Sequence, residues 1–222
     1  MTKKIFLFGD SICFGQLISG HKTWAAAFAR LLEARNTKNI DFLVQNAGVN
    51  GNTTRQALER LYYEVLTHKP DYVLIQFGMN DCNYWETDAG LPRVSREAFK
   101  ANLIEILDKC KLSGVKHCFL STNHPSNKGA FSHTTEVTYD ESNSIYNHII
   151  RNLYNEICSD AASITLLDNE RIWRAHLSEN TDASLDDLLL EDGVHLSDHG
   201  HRLYEKTTVN NMLQKICLME NL

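Results

Sequence analysis

Three side chains of this sequence, a serine, an aspartate and a histidine, could together carry out acyl transfer. Ser11 follows Gly9-Asp10, and Asp192 lies three residues before His195. A serine hydroxyl needs a base before it can attack an ester, and histidine suits this task because a free imidazole titrates near neutral pH. The spacing of three residues allows the Asp192 carboxylate to orient the imidazole and to stabilise its protonated form.

A hydrolytic serine also needs hydrogen-bond donors for the negative oxygen that forms during attack. The sequence offers three: the backbone N–H of Ser11, the backbone N–H of Gly51 and the side-chain amide of Asn80. Structural interpretations remain open, because Asp10 and Ser11 could cap a helix and Asn80 could bond its own turn. Asp10 and Asp81 are better suited to accepting hydrogen bonds from turn N–H groups than to catalysis.

Short apolar runs that end in polar or glycine-containing turns predict five strands. They cover residues 5–8, 41–46, 72–77, 115–121 and 163–168. The first strand runs directly into Gly9-Asp10-Ser11, where glycine permits a sharp turn.

Apolar residues at helical spacing predict a helix after most of these strands. The first predicted helix covers residues 23–35, and the second begins at Thr53 or Thr54 with an apolar face of Ala57, Leu58, Leu61, Tyr62 and Val65. The third lies between Ser95 and Gly114. The fourth carries Ile145, Ile149, Leu153 and Ile157, and the last begins near Asp198. Alternating strands and helices predict a parallel sheet with helices on both faces. All strand-to-helix turns then meet at one edge, which brings Ser11, Asn80 and His195 together.

Four blocks of the sequence resemble the SGNH (GDSL-type) hydrolase family. They are Gly9-Asp10-Ser11-Ile12, the segment 46–53, Gly78-Met79-Asn80-Asp81 and Asp192-Gly193-Val194-His195, in the order of the family. The resemblance implies that Ser11 is the nucleophile, that Gly51 and Asn80 complete the oxyanion hole with Ser11, and that His195 is a base oriented by Asp192. It also implies a flavodoxin-like three-layer α/β/α sandwich with about five parallel strands.

The sequence departs little from that family and differs from another esterase fold. Ile12 stands where the family name has leucine, and both side chains are apolar. The G-x-S-x-G turn of α/β-hydrolases is absent around Ser11, which argues against that fold.

Composition limits the other classes of protein. With 222 residues, 43% hydrophobic and 23% charged, the chain suits one domain over residues 1–222. The net charge of −6 and the lack of a basic stretch argue against a nucleic-acid partner. No apolar run is long enough to span a membrane, and no signal peptide is recognised at the start, so a cytoplasmic protein is predicted. The six dispersed cysteines are predicted to be reduced core residues.

Two loops and one histidine group invite further functional interpretations. Tyr84, Trp85 and His124 are candidate substrate-binding residues, although Tyr84 and Trp85 could equally pack within their loop and His124 could lie on the surface. Asp192 and His195 with His199 and His201 match no standard zinc spacing, so no metal is predicted, and His199 and His201 are expected to be partly exposed.

These observations predict a serine esterase that needs no cofactor and acts on a small-molecule ester. Short acyl groups, particularly acetyl groups on carbohydrate, are favoured because both candidate loops are polar and aromatic. A lysophospholipase or thioesterase, an acyltransferase and a non-catalytic carbohydrate-binding module remain as alternatives. The oligomeric state, and whether residues 122–140 close over substrate, do not follow from the sequence.

Overall fold

Five parallel strands form one sheet in the part of the chain that the computed structural model describes, residues 1–129, 137–157 and 163–222. The strands are β1 (Thr2–Gly9), β2 (Asp41–Gly48), β3 (Tyr72–Gln76), β4 (His117–Ser121) and β5 (Ile164–Leu167). Their order across the sheet is β2-β1-β3-β4-β5. This arrangement confirms the predicted flavodoxin-like parallel sheet.

Helices cover both faces of this sheet and complete a three-layer α/β/α sandwich. Within the described residues they are α1 (Ser11–Phe14), α2 (Trp24–Glu33), α3 (Thr54–Glu64), α4 (Arg96–Leu112), α5 (Tyr139–Ile157), α6 (Asn169–Glu179), α7 (Leu185–Leu188), α8 (Asp198–Tyr204) and α9 (Asn210–Glu220). Helices α3, α4 and α5 pack side by side, and α2 packs against α8 and α9. No described helix is both long and apolar enough to cross a membrane.

The first strand lies in the interior of the sheet, between β2 and β3, and its apolar side chains are buried. Ile5, Phe6, Leu7 and Phe8 are each at most 3% exposed, as expected for a strand covered on both faces. Gly9 at its end pairs with Gly48 of β2 on one side and with Gln76 of β3 on the other. The three turns that follow these strands therefore lie side by side at one edge of the sheet.

Capping residues begin several helices where the sequence predicts. Thr23 and Ser95 accept hydrogen bonds from the backbone N–H groups of Ala26 and Ala98, so α2 and α4 start directly after them. Thr53 and Gln56 form a capping box at the start of α3. Local side-chain chemistry thus determines these boundaries.

Helix α6 is absent from the prediction, which treats its residues as a variable stretch. Its turns carry mostly polar residues, and only Trp173 is a fully buried apolar side chain. A pattern with so few apolar positions gives weak periodicity, although Asp168 caps the helix by accepting a hydrogen bond from the N–H of Arg171. Tertiary packing around Trp173 decides this helix.

Other helix details differ from the prediction. The sequence predicts Tyr62 on the buried face of α3, whereas its side chain is 62% exposed. The buried stripe of α5 contains Tyr146 and Asn147, whereas the predicted Ile145 and Ile149 are only partly buried. The predicted last helix is interrupted by a π-helical segment, Glu205–Val209, between α8 and α9.

Some predictions concern parts of the chain that the structure does not describe. Residues 130–136 of the long polar loop and Cys158 fall outside the described residues. The single domain over residues 1–222 stays a prediction.

Candidate active site

Ser11 is the first residue of the short helix α1, directly after the turn that ends strand β1. Asp10 stabilises this turn because its Oδ1 accepts a hydrogen bond of 2.9 Å from the N–H of Ile12. Gly9 has no room for a side chain, since a Cβ there would collide with Cys13 and would lie 2.8 Å from the carbonyl oxygen of Gln76. The tight packing holds Ser11, which is 6% exposed, at the carboxyl edge of the sheet.

Asp192 and His195 lie on one tight turn between α7 and α8. Asp192 Oδ1 accepts hydrogen bonds of 2.9 Å from the N–H groups of Val194 and His195. Its other oxygen, Oδ2, lies 2.5 Å from His195 Nδ1. Burial alone raises the pKa of Asp192, but the hydrogen bonds from His195 and Val194 outweigh it and lower the pKa below its usual value. The carboxylate is therefore ionised at neutral pH.

The histidine connects this turn to the serine. His195 Nε2 lies 2.9 Å from Ser11 Oγ. Because Asp192 accepts the proton of Nδ1, the neutral imidazole has a free lone pair on Nε2, to which the Ser11 hydroxyl donates. A serine, a histidine and a carboxylate in this chain of hydrogen bonds can transfer a proton away from the serine.

Asn80 faces the same space from the turn after β3. It lines a cleft of about 380 Å³ together with Ser11 and His195. Its Nδ2 is buried and has no hydrogen-bond partner among the described residues. An unused amide donor beside a serine can receive a developing negative charge, because a buried donor otherwise lacks compensation for its lost hydration.

Gly51 lies on the turn after β2, outside the residues that line the cleft. It has a φ of +75°, which favours glycine, and a Cβ built there would meet no atom within 4 Å. At position 48, in contrast, only glycine fits, because a Cβ there would lie 2.9 Å from the carbonyl oxygen of Asp10.

Two buried carboxylates support the turns around Ser11. Asp81 Oδ1 accepts hydrogen bonds from the backbone N–H and the hydroxyl of Thr54, at 2.9 and 2.5 Å. Burial, and to a lesser extent the Asp81 charge, raises the pKa of Asp10 to about 7, and burial raises the pKa of Asp81 to about 6. Both side chains accept hydrogen bonds from turn N–H groups, in agreement with their predicted structural role.

Arg60 of α3 joins three parts of this edge, a role absent from the sequence interpretation. Its Nη2 donates to the carbonyl of Gly9 at 2.8 Å, its Nη1 to the carbonyl of Ala47 at 2.7 Å, and its Nε to Asn52 Oδ1 at 2.7 Å. The guanidinium also lies 4.5 Å from the ring centre of Phe8. The ends of β1 and β2 and the turn that carries Gly51 are thereby tied to α3.

One sequence signal could have identified Arg60. It lies three residues after Ala57 and next to Leu61, both of which are buried on α3. A charged residue on the apolar face of a helix needs buried partners. Arg93, which also contacts this edge, follows Pro92 in a loop and carries no comparable signal.

The three candidate substrate-binding residues lie away from the lining of the cleft. Tyr84 is partly buried and packs against the hydrophobic core. The Trp85 ring is half exposed and lies 3.8 Å from the guanidinium carbon of Arg93. Neither residue is among those that line the space around Ser11.

His124 is fully buried, so its prediction as a pocket residue is wrong, and so is the alternative of a surface residue. Its Nε2 donates to the carbonyl of Val194 at 2.8 Å, which leaves Nδ1 to accept from the Tyr204 hydroxyl at 3.1 Å. Burial lowers the pKa of His124 to about 4. A neutral His124 therefore holds the backbone directly before His195.

The remaining cleft surface combines polar and apolar side chains. Asn83 and Lys128 contribute polar groups, and Met79, Tyr139 and Val194 contribute most of the apolar surface. No group of three potential metal ligands occurs in the described ranges. His201, predicted to be partly exposed, is instead 2% exposed and accepts a hydrogen bond from the N–H of Trp24, because α8 packs on α2.

The cysteines near this edge are not suited to catalysis. Cys13 and Cys82 are fully buried, and burial raises the pKa of each thiol far above its usual value. A protonated, inaccessible thiol is a poor nucleophile. The other described cysteines, Cys110, Cys118 and Cys217, are also free thiols.

Comparisons with known proteins place the chain in a family. A model of the GDSL-like lipase/acylhydrolase family matches residues 7–203. The chain is 25% identical to the uncharacterized lipoprotein YqeF of Bacillus subtilis, over 93% of this chain and 90% of the relative. It is 29% identical to an arylesterase of Vibrio mimicus, over 58% of each protein, so the alignment spans little more than half of that relative.

A similar fold also occurs among solved structures. A mutant of Axe2, an acetyl-xylooligosaccharide esterase from Geobacillus stearothermophilus, superposes with a TM-score of 0.73 at 22% sequence identity. The superposition covers 94% of this chain and 93% of the other. At this identity the similarity concerns the fold alone.

Proposed function

The chain belongs to the GDSL-like lipase/acylhydrolase family, and we propose that it hydrolyses carboxylic esters through an acyl-Ser11 intermediate. One observation carries this proposal. His195 Nε2 lies 2.9 Å from Ser11 Oγ while its Nδ1 lies 2.5 Å from Asp192, so nucleophile, base and orienting carboxylate form one continuous chain of hydrogen bonds.

The reaction follows from these positions. His195 Nε2 accepts the Ser11 proton as Oγ bonds to the acyl carbon. When the bond from the acyl carbon to the alcohol oxygen breaks, His195 returns that proton to the leaving alcohol. A water molecule then attacks the acyl carbon and gives one proton to His195. As the bond from the acyl carbon to Ser11 Oγ breaks, His195 returns that proton to Oγ, and the carboxylic acid and free Ser11 are released. Asp192 stabilises the imidazolium in both halves of the cycle.

The oxyanion hole is proposed to consist of the N–H of Ser11, the N–H of Gly51 and the Asn80 amide. The Asn80 amide supports this assignment, because Asn80 lines the cleft that contains Ser11 and its Nδ2 is buried without a partner among the described residues. Hydrogen-bond donors that are held in position before the reaction stabilise the charged intermediate more than the neutral ester.

Acetyl esters on carbohydrate are the substrates that we favour. The cleft of about 380 Å³ is modest in size and exposes Asn80, Asn83 and Lys128, which suit the hydroxyl groups of a sugar. The Axe2 esterase of similar fold is described as acting on acetyl-xylooligosaccharides, which agrees with this choice. A lysophospholipase or thioesterase would need a longer apolar groove to hold its acyl chain.

A cytoplasmic location is also a proposal. Five of the six cysteines are described, and these five are free thiols, which suits a reducing compartment. Separation of membrane and soluble fractions, followed by detection of the protein, tests it.

Hydrolysis of p-nitrophenyl acetate, butyrate and octanoate, and of acetylated xylo-oligosaccharides, tests the function. We expect rapid turnover of acetate, slow turnover of octanoate, release of acetate from the oligosaccharides, and no turnover by Ser11→Ala. The exposed Ser178 offers a matched control, so Ser178→Ala should behave as wild type. A preference for octanoate would instead favour the lipid or thioester alternatives. An active Ser11→Ala variant, or failure of a phosphonate to label Ser11, would rule out the acyl-serine route.

A further inference from the structure

Arg93 lies at the end of the loop that connects β3 to α4, beside the proposed oxyanion hole. Its backbone is held on both sides: its N–H donates to the carbonyl of Asn83 at 2.9 Å, and its carbonyl accepts from Arg55 at 3.2 Å. The guanidinium carbon lies 3.8 Å from the ring centre of Trp85. Stacking on an aromatic ring favours one orientation of a planar cation.

From this position one nitrogen of Arg93 contacts both turns of the proposed oxyanion hole. Nη1 donates to the carbonyl oxygen of Gly51 at 3.1 Å and lies 3.4 Å from Oδ1 of Asn80. These two residues follow different strands, β2 and β3, and are distant in sequence. Arg93 is therefore a bridge between them.

The contact with Asn80 determines which end of its amide faces the cleft. A guanidinium has only donors, so it can be adjacent to the amide oxygen but not to the amide nitrogen. Oδ1 therefore turns towards Arg93, and Nδ2 remains buried without a partner among the described residues. A rotated amide would place its oxygen, an acceptor, where a donor is required.

The contact with Gly51 supplies an anchor where packing supplies none. Gly51 has no side chain to pack, and a Cβ built on it would meet no atom within 4 Å. The next residue, Asn52, is held by Arg60 at 2.7 Å. Arg93 thus completes the fixation of this turn at the residue whose N–H is proposed to face the oxyanion.

The charge of Arg93 interacts with the charges of Asp81 and Asp88, which lie nearby. No carboxylate of the described residues lies within ion-pair distance of its guanidinium, whereas Arg60, the other arginine at this edge, is paired with Glu64 at 2.6 Å. A cation at the oxygen end of the Asn80 amide strengthens the donor at the other end, because hydrogen bonds polarise one another in a poorly hydrated site.

We propose that Arg93, stacked on Trp85, is a positioning residue that orients the Asn80 amide and the Gly51 turn for stabilisation of the oxyanion. The proposal rests on the proposed function, since it assigns Arg93 a role in that same reaction. It also gives Trp85, expected to contact substrate, a different task as the support for Arg93. Arg93 acts through Asn80 and Gly51 and does not touch the reacting atoms.

A double-mutant cycle on p-nitrophenyl acetate hydrolysis tests this role. We expect Arg93→Met to lower kcat about 10- to 100-fold with little change in KM, a smaller loss than removal of the Asn80 donor itself. In the Asn80→Ala background, Arg93→Met should have a clearly smaller effect, because one of the two groups through which it acts, the Asn80 amide, is gone. Trp85→Ala should reproduce part of the kcat loss. Arg171→Met, which removes a largely exposed arginine on α6, serves as the control for loss of one positive charge.

Three results would overturn the proposal. They are an unchanged kcat in Arg93→Met, an effect confined to KM, and an equal loss of kcat in the wild-type and Asn80→Ala backgrounds. Far-ultraviolet circular dichroism and thermal unfolding show whether each variant is folded, and Arg93→Lys, which keeps the charge, provides a second variant that should lose less activity than Arg93→Met. Loss of turnover in Ser11→Ala alongside a normal Arg93→Met would reject this inference and keep the proposed function, whereas an active Ser11→Ala would reject the function itself.

Discussion

Nε2 of His195 lies 2.9 Å from Oγ of Ser11, although 184 positions separate the two residues in the chain. Ser11 is held by the turn after β1, and His195 by the tight turn that Asp192 stabilises through two backbone hydrogen bonds. The two groups meet because the fold brings these turns to the same edge of the sheet. A rigid approach of this kind reduces the reorganisation needed for proton transfer.

Replacement of Asn80 by alanine should lower kcat about 10²–10³-fold, the usual cost of losing one oxyanion donor. KM should change little, because the neutral ester gains less from the donor than the charged intermediate does. Steady-state kinetics with p-nitrophenyl acetate measure both constants. Asn210→Ala, which removes an exposed amide on α9, is the matched control. A kcat within a few-fold of wild type would exclude Asn80 from the oxyanion hole.

Replacement of Asp192 by asparagine should lower kcat roughly 10³–10⁴-fold. The amide can still accept the backbone hydrogen bonds of the turn, but its nitrogen would face Nδ1 of His195. The imidazole would then carry its proton on Nε2, where it cannot accept the proton of Ser11. Single-turnover kinetics of acyl-enzyme formation measure the step directly. If acylation by Asp192→Asn stays within tenfold of wild type, Asp192 does not orient the base.

His124→Ala should lower both stability and activity, because it leaves the buried carbonyl of Val194 without a donor. We expect about 2–3 kcal/mol less free energy of unfolding and about a tenfold lower kcat as the turn with His195 loosens. His124→Gln retains an N–H donor and should recover part of both losses. Urea denaturation and ester kinetics measure the two effects. Wild-type kinetics in a destabilised His124→Ala would limit this residue to packing.

The stability of the protein should carry a pH dependence that comes from Asp10. Burial raises its pKa to about 7 in the folded state, so between the unfolded and folded pKa values the folded state binds more protons than the unfolded state. The stability that Asp10 contributes is therefore lost as the pH rises towards and through 7. Between about pH 5 and pH 8, wild type should lose about 2–3 kcal/mol relative to Asp10→Asn.

The comparison with Asp10→Asn is necessary because other groups act in the opposite direction. Burial lowers the pKa values of His117, His124 and His201 to about 4. The free energy of unfolding of the protein therefore increases, through these three groups, as the pH rises above that value. Asparagine keeps the acceptor for the N–H of Ile12 and removes the titration. Parallel urea denaturation curves of the two proteins over this pH range measure the difference. Equal pH dependence in both would show that Asp10 does not titrate in this interval.

Much of the fold was accessible from the sequence because local patterns determined it. The apolar run before Ser11 predicts a strand buried on both faces, Thr53 or Thr54 predicts the start of α3, and Ser95 predicts the start of α4. The sequence does not predict helix α6, because Trp173 is its single buried apolar residue. A helix with so little hydrophobic periodicity depends on contacts with distant segments.

The sequence by itself determined which residue types carry the chemistry: Ser11 and Asn80 follow from glycine-containing turns after predicted strands, and Asp192 and His195 follow from their short spacing. The tertiary structure alone decided which side chains enter the cleft. His124 turned inwards because the carbonyl of Val194 needed a donor.

The tertiary structure likewise determines the position of Arg93 between Gly51 and Asn80, because its side chain contacts two separate turns. Such contacts depend on distances between segments that lie far apart in the chain. Local propensity and spacing do not encode those distances, whereas packing of the sheet and helices determines them.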